Sequence, residues 1–108
     1  MLTIEEIKKA VAPICERYGV ERLSLFGSYA RGEADEKSDV DLIVDKYDEK
    51  KLRGFVWGGL YADMEEALGL EIDLLSRDDT SKRFLSKISM DEVLIYAEET
   101  GIDWGQSK

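Results

Sequence analysis

Residues 27–44 read G-S-Y-A-R-G-E-A-D-E-K-S-D-V-D-L-I-V, and the two ends of that stretch decide how the rest of the chain is read. At the far end, Val40, Leu42 and Val44 alternate with Asp39, Asp41 and Ile43. Asp39 to Asp45 therefore reads as a strand whose later half is apolar on both faces, as a central strand is. Asp39 and Asp41 lie two residues apart and project from the same face, with Cα atoms about 7 Å apart for a rise of about 3.3 Å per residue. Two carboxylates so spaced can hold a hard cation that keeps water or phosphate oxygens in its other positions. At the near end, Gly27-Ser28 stands where the apolar run Glu21 to Phe26 gives way to a turn. A glycine there permits close backbone approach, and exposed N–H groups with a serine hydroxyl can cradle phosphate oxygens. Arg31 is suited either to a bidentate contact with phosphate or to locking an internal carboxylate, and the sequence leaves both open.

Working outward, Thr3 with Glu6 forms a capping-box signature, and Ile4, Ile7, Val11, Ile14 and Tyr18 follow at helical spacing. A helix is expected over residues 3–18, with Pro13 kinking or breaking it near Ala12 and Gly19 ending it. Gly27 to Lys37 is expected as a loop or one helical turn. Lys50 to Leu68 carries a helical stripe (Leu52, Phe55, Val56, Leu60, Met64, Leu68) that Gly54, Gly58 and Gly59 weaken locally. Glu71 to Ser76 reads as a third strand and Ser81 to Ile88 as a helix. Ser89 with Glu92 reads as a second capping box, opening a helix through about Glu98. The tail after Gly101 is expected to fray. This order implies an α/β (α+β) protein, helices packed on a small mixed sheet of three or more strands. With 108 residues and 12.3 kDa, it is one domain, 1–108.

Composition removes several chemistries. The chain has no histidine and one cysteine, Cys15. Histidine-based nucleophilic triads, histidine-ligated zinc and imidazole proton shuttles are excluded, and carboxylates must carry any chemistry. Cys15, beside Ile14, reads as a small buried hydrophobe. The 24 acidic against 15 basic residues give a net charge of −9, which repels a long nucleic acid. No apolar run is long enough to span a membrane. Met1 to Lys9 carries Glu5 and Glu6 and no apolar core of a signal peptide, so a cytoplasmic protein is expected. Asp78-Asp79 and Glu98-Glu99 read as solvated surface. Trp57 and Tyr61 widen the apolar arc of the long helix beyond one core face, as either a partner interface or ordinary half-buried packing.

Asp73 is centred in the third strand, flanked by Ile72 and Leu74 pointing the other way. If that strand lies beside the second, three carboxylates crowd together and call for a cation or a proton.

Gly27-Ser28, ten intervening residues and Asp39-Val40-Asp41 resemble the signature of the DNA polymerase β-like nucleotidyltransferase superfamily. Ala30-Arg31-Gly32, Ser38, Leu42, Val44 and the short length resemble its minimal (MNT) branch. The resemblance implies the nucleotidyltransferase fold. It implies that Gly27 and Ser28 bind a nucleoside triphosphate, with Arg31 a further candidate contact. It also implies that Asp39, Asp41 and Asp73 hold Mg2+ and form the catalytic set, Asp73 being placed to assist deprotonation of an acceptor hydroxyl. Members of this size are often antitoxins of helical HEPN-type toxins, some transferring AMP from ATP to a toxin tyrosine. The expectation is therefore transfer of AMP to a hydroxyl of such a partner, in a homo- or hetero-oligomer. The alternatives are a catalytically inactive binding module and a transferase acting on a small molecule such as an antibiotic.

Overall fold

The computed structural model describes residues 1–98, and the chain opens as its capping signature requires. The Thr3 hydroxyl accepts from the Glu6 N–H at 3.1 Å while the Thr3 N–H donates to Glu6 Oε1 at 2.8 Å, starting α1 (Ile4–Tyr18). Gly19, at φ +80°, ends it in the left-handed conformation. Pro13 does not break α1, which is continuous through it. Pro13 lies on the exposed side, where water can serve the carbonyl that its missing N–H leaves unpaired.

β1 (Val20–Phe26) leads into the single helical turn α2 (Gly27–Arg31), then β2 (Val40–Tyr47), α3 (Val56–Leu68), β3 (Ile72–Ser76), a 3-10 turn at Arg77–Asp79, α4 (Lys82–Ile88) and β4 (Val93–Ala97). The sheet runs β3-β2-β1-β4, with β1 antiparallel to β2 and β4, and β2 parallel to β3. The expected mixed sheet thus has four strands.

Two expectations are corrected. The long helix begins at Val56, not Lys50, because the intervening residues form a turn. In that turn, the Lys51 and Leu52 N–H groups donate to the Asp48 carbonyl and Gly54 takes φ +54°. Ser89 and Glu92 do not open a helix: Ser89 Oγ donates to the Ser86 carbonyl and Glu92 binds Arg77. Val93–Ala97 is a strand, paired through Leu23↔Tyr96 and Leu25↔Val93. Pairing to an otherwise open edge of β1 overrides the local helix signal. The expected fraying after Gly101, and Glu99 of the expected surface acids, lie outside the described residues.

The sheet separates two apolar layers. Leu23, Leu25, Val40, Leu42, Val44 and Ile72 pack against Ile7, Val11 and Ile14 of α1 and Leu60, Met64 and Leu68 of α3. On the other face, Phe26 and Ile43 pack under Ile88, Leu75 and Leu85, so α4 covers the middle of that face. Ile43 is fully buried on the face opposite Leu42 and Val44, confirming β2 as a central strand. Cys15 is buried, and burial pushes its thiol up to about 12, keeping it unreactive.

Candidate active site

Alternation along β2 sends Val40, Leu42 and Val44 into the α1/α3 layer and Asp41 to the α4 side of the sheet. The parallel register pairs Asp41 with Asp73, so the third strand brings its acid beside the second strand's. Asp39 precedes β2 and is exposed, Asp73 is exposed, and Asp41 is half-buried. Across the antiparallel pair, Asp41 faces Phe26, the residue before Gly27-Ser28. Both ends of the 27–44 stretch therefore meet at one end of the sheet.

Gly27 makes the meeting possible. Its φ is +74°, and a Cβ there would collide with Asp41 Oδ2 and lie 3.0 Å from Cγ. Only glycine tolerates both the conformation and the approach. Tyr29, 5% exposed, anchors α2 to the core and leaves Ser28 at the surface of the turn. Beyond α2, the loop is held by the Glu33 N–H to Ser28 carbonyl bond at 2.9 Å and the Asp35 N–H to Ser38 Oγ bond at 2.9 Å.

Partial burial is the largest influence raising the Asp41 carboxyl above its ordinary value; repulsion from Asp73 and then Asp39 adds to it, and Arg31 opposes it. Asp41 thus feels the charge of both other carboxylates. Among the described residues, no three acidic side chains converge tightly enough to cage a metal ion alone. The donor set suits a hard divalent cation that takes two carboxylates and completes its shell with water and phosphate oxygens.

Arg31 donates from Nε to Glu33 Oε1 at 2.9 Å and reaches Asp91 Oδ2 at 3.4 Å, so its guanidinium is engaged by carboxylates. Trp57 is half-buried edge-on against Tyr47, at 5.2 Å between ring centroids, as ordinary packing. Tyr61 is 40% exposed, with its hydroxyl donating to the Ile72 carbonyl at 3.2 Å.

Sequence reading missed a polar network on the same sheet face, beyond α4. Buried Ser24 donates to Asp45 Oδ2 at 2.6 Å, and Arg77 binds Asp45 Oδ1 from Nε at 2.7 Å and Glu92 Oε1 at 2.5 Å. The only signal was Asp45 continuing the Asp41, Ile43 alternation; Arg77 and Glu92 come from distant segments.

The polymerase β nucleotidyltransferase family model matches residues 9–100. The protein adenylyltransferase MntA of Thermococcus cleftensis is 39% identical over 98 residues, covering 87% of this chain and 96% of that one. A toxin-antitoxin complex solved with AMP-PNP has a TM-score of 0.68 at 21% identity, over 91% of this chain and 76% of that one. A Shewanella oneidensis MNT antitoxin, solved in complex with its tri-AMPylated HEPN toxin, has a TM-score of 0.66 at 16% identity, over 90% of this chain and 75% of that one. The two structures share the fold, while the family model and the Thermococcus relative carry the assignment: the chain belongs to the polymerase β nucleotidyltransferase family, in its minimal branch.

Proposed function

We propose that this chain is a magnesium-dependent adenylyltransferase that moves AMP from ATP to a hydroxyl on a helical HEPN-type toxin, acting as its antitoxin. The observation that carries the reading is the contact between Gly27 and Asp41, which joins the phosphate-binding turn to the carboxylate strand. The Thermococcus relative's name and the two toxin-antitoxin neighbours support the donor and the partner.

In this reading, the N–H groups of the turn at Gly27 and the Ser28 hydroxyl hold the outer phosphates, and the missing Cβ lets the Asp41 carboxylate stand against that turn. Asp39 and Asp41 hold the cation, with Asp73 completing the site. Bound there, magnesium supplies positive charge to the phosphate oxygens as charge shifts toward the leaving group. Asp73 orients the acceptor hydroxyl and takes its proton. The acceptor oxygen bonds to the α-phosphorus, the bond from that phosphorus to the bridging oxygen breaks, and pyrophosphate leaves in line. Most of the acceleration comes from holding the reactants in place and offsetting charge.

The test is incubation of the purified chain with Mg2+, ATP and a helical HEPN-type toxin, read by intact mass of the toxin. Addition of AMP, lost with Asp73→Asn, is the expected result. An unmodified toxin that is nevertheless neutralised would favour the inactive binding module, and AMP found only on an added small molecule would favour the third reading.

A further inference from the structure

The solvent face of α3 is unlike the rest of this highly charged surface. Its first two turns, Val56 to Ala62, contain no charged residue, and Gly58 and Ala62 are exposed at their centre. Space outside Gly58 is open, since a Cβ there would meet nothing within 4 Å. At the start of this face Phe55 is 93% exposed.

Phe55 is held there by an ordered turn. Leu52 is fully buried beneath it, the Asp48 N–H donates to the Gly19 carbonyl at 2.9 Å, and the Val56 N–H donates to the Arg53 carbonyl at 3.1 Å. The ring stands beside Lys50, Lys51 and Arg53, which make no ion pair among the described residues.

At the other end of the same face lies a shallow concavity of about 470 Å³ lined by Ala62, Gly69, Leu70 and the acidic Glu65, Glu66 and Glu71, with Glu65 also accepting from the Ile72 N–H at 3.3 Å. A ring flanked by three cations and a hollow lined by three acidic residues thus share one helix face. The two are about 16 Å apart, for eleven residues at a rise of about 1.5 Å.

We propose that α3 is a homodimer interface, with a second copy of this chain crossing it antiparallel about a two-fold axis between Gly58 and Ala62. A two-fold makes each patch meet its complement twice. Centred there, it sets Phe55 of each copy opposite the other's Glu65, over the hollow, with Arg53 and Lys51 against the acidic rim. Gly58 and Ala62 let the helices approach closely. α3 lies on the opposite side of the sheet from Asp41 and Asp73, so the dimer leaves the candidate active site open.

One helix face is a small interface, and two chains of net charge −9 repel at long range. At 0.15 M salt that repulsion is screened beyond about 8 Å, while pairs in contact keep more of their attraction. The association is therefore expected to be weak and dependent on concentration.

Sedimentation equilibrium of the whole chain at 0.15 M salt, from about 1 to about 500 µM, tests this. The expected result is a limiting mass twice the 12.3 kDa of the chain. Phe55→Asp, an exposed change that leaves the core intact, should weaken association by about 30-fold or more. Arg53→Glu should also weaken it, and Arg53→Glu combined with Glu66→Arg should restore it, which a loss of folding would not do. A wild-type mass that stays at one chain, a dimer indifferent to Phe55→Asp, or a mass that grows without limit would each overturn the two-fold interface. The first outcome joined to Phe55-dependent binding of a toxin would assign the surface to that partner instead.

Discussion

At Gly27, one hydrogen in place of a methyl group decides whether Asp41 can stand where it does. Gly27→Ala meets both a positive φ and a direct collision with the Asp41 carboxylate, so it should destabilise the fold by about 1–3 kcal/mol. It should also lower nucleotidyl transfer by about 100-fold, through displacement of a reacting group by an ångström or so. Ser28→Gly, which keeps the backbone free, should retain the fold. Circular-dichroism melts beside transfer rates separate the two effects. Asp41 carries an opposite expectation for stability. Its carboxyl is raised above its ordinary value of 3.8, first by burial and then by Asp73 and Asp39. The folded state therefore favours the protonated form. The stability this contributes is fully present below about pH 3.8 and lost as pH rises through the folded value. Asp41→Asn should remove the penalty and raise Tm at pH 7, while abolishing transfer. The gain should shrink as pH falls toward 3.8. An unchanged or lower Tm at neutral pH would contradict the assigned crowding.

Among the elements, those whose signal is local were legible. Thr3 and Glu6 make the capping box their spacing promised, and the alternation in 39–45 marks a central strand without reference to its neighbours. Placing Asp73 beside Asp41 required only that β3 pair with β2, which the parallel register supplies. β4 was misread because Ser89 and Glu92 carry the letters of a helix start, yet both side chains are used elsewhere, Glu92 by an arginine fifteen residues upstream. A contact of that separation has no local signature. The helix expected from Lys50 was too long for a related reason: Leu52 fits the apolar stripe but is buried from within a turn. Arg77 is the element-level device that no periodicity announces, tying the end of β3 to β2 through Asp45 and to the start of β4 through Glu92. Arg77→Ala leaves the Asp45 carboxylate, 11% exposed as a side chain, short of its cation. It should cost about 2 kcal/mol in urea unfolding, with Ser24→Ala costing about 1 kcal/mol. Equal and near-zero effects would mean that the network is only surface decoration.

At the scale of the whole molecule, the sheet divides labour between its faces. One face buries the α1/α3 core and the other presents Asp41 and Asp73 past the edge of α4. The 108-residue chain therefore spends one face of its sheet on stability and one end of the other on chemistry, leaving the outside of α3 for association. Magnesium with ATP should raise Tm of the wild-type chain by stabilising the folded state through binding, and Asp39→Asn combined with Asp41→Asn should lose that increment. The acidic balance is compatible with this, because a cation brings the triphosphate to a surface that would otherwise repel it.

The most direct measurement uses ATP labelled at the α-phosphate in one reaction and at the γ-phosphate in another, with Mg2+, the chain and a HEPN-type toxin, beside the Asp39→Asn/Asp41→Asn control. The account predicts that the toxin takes label only from the α-position, that pyrophosphate appears in equal amount, and that the control transfers nothing. Label arriving from the γ-position, or α-label transfer that survives in the control, would contradict it.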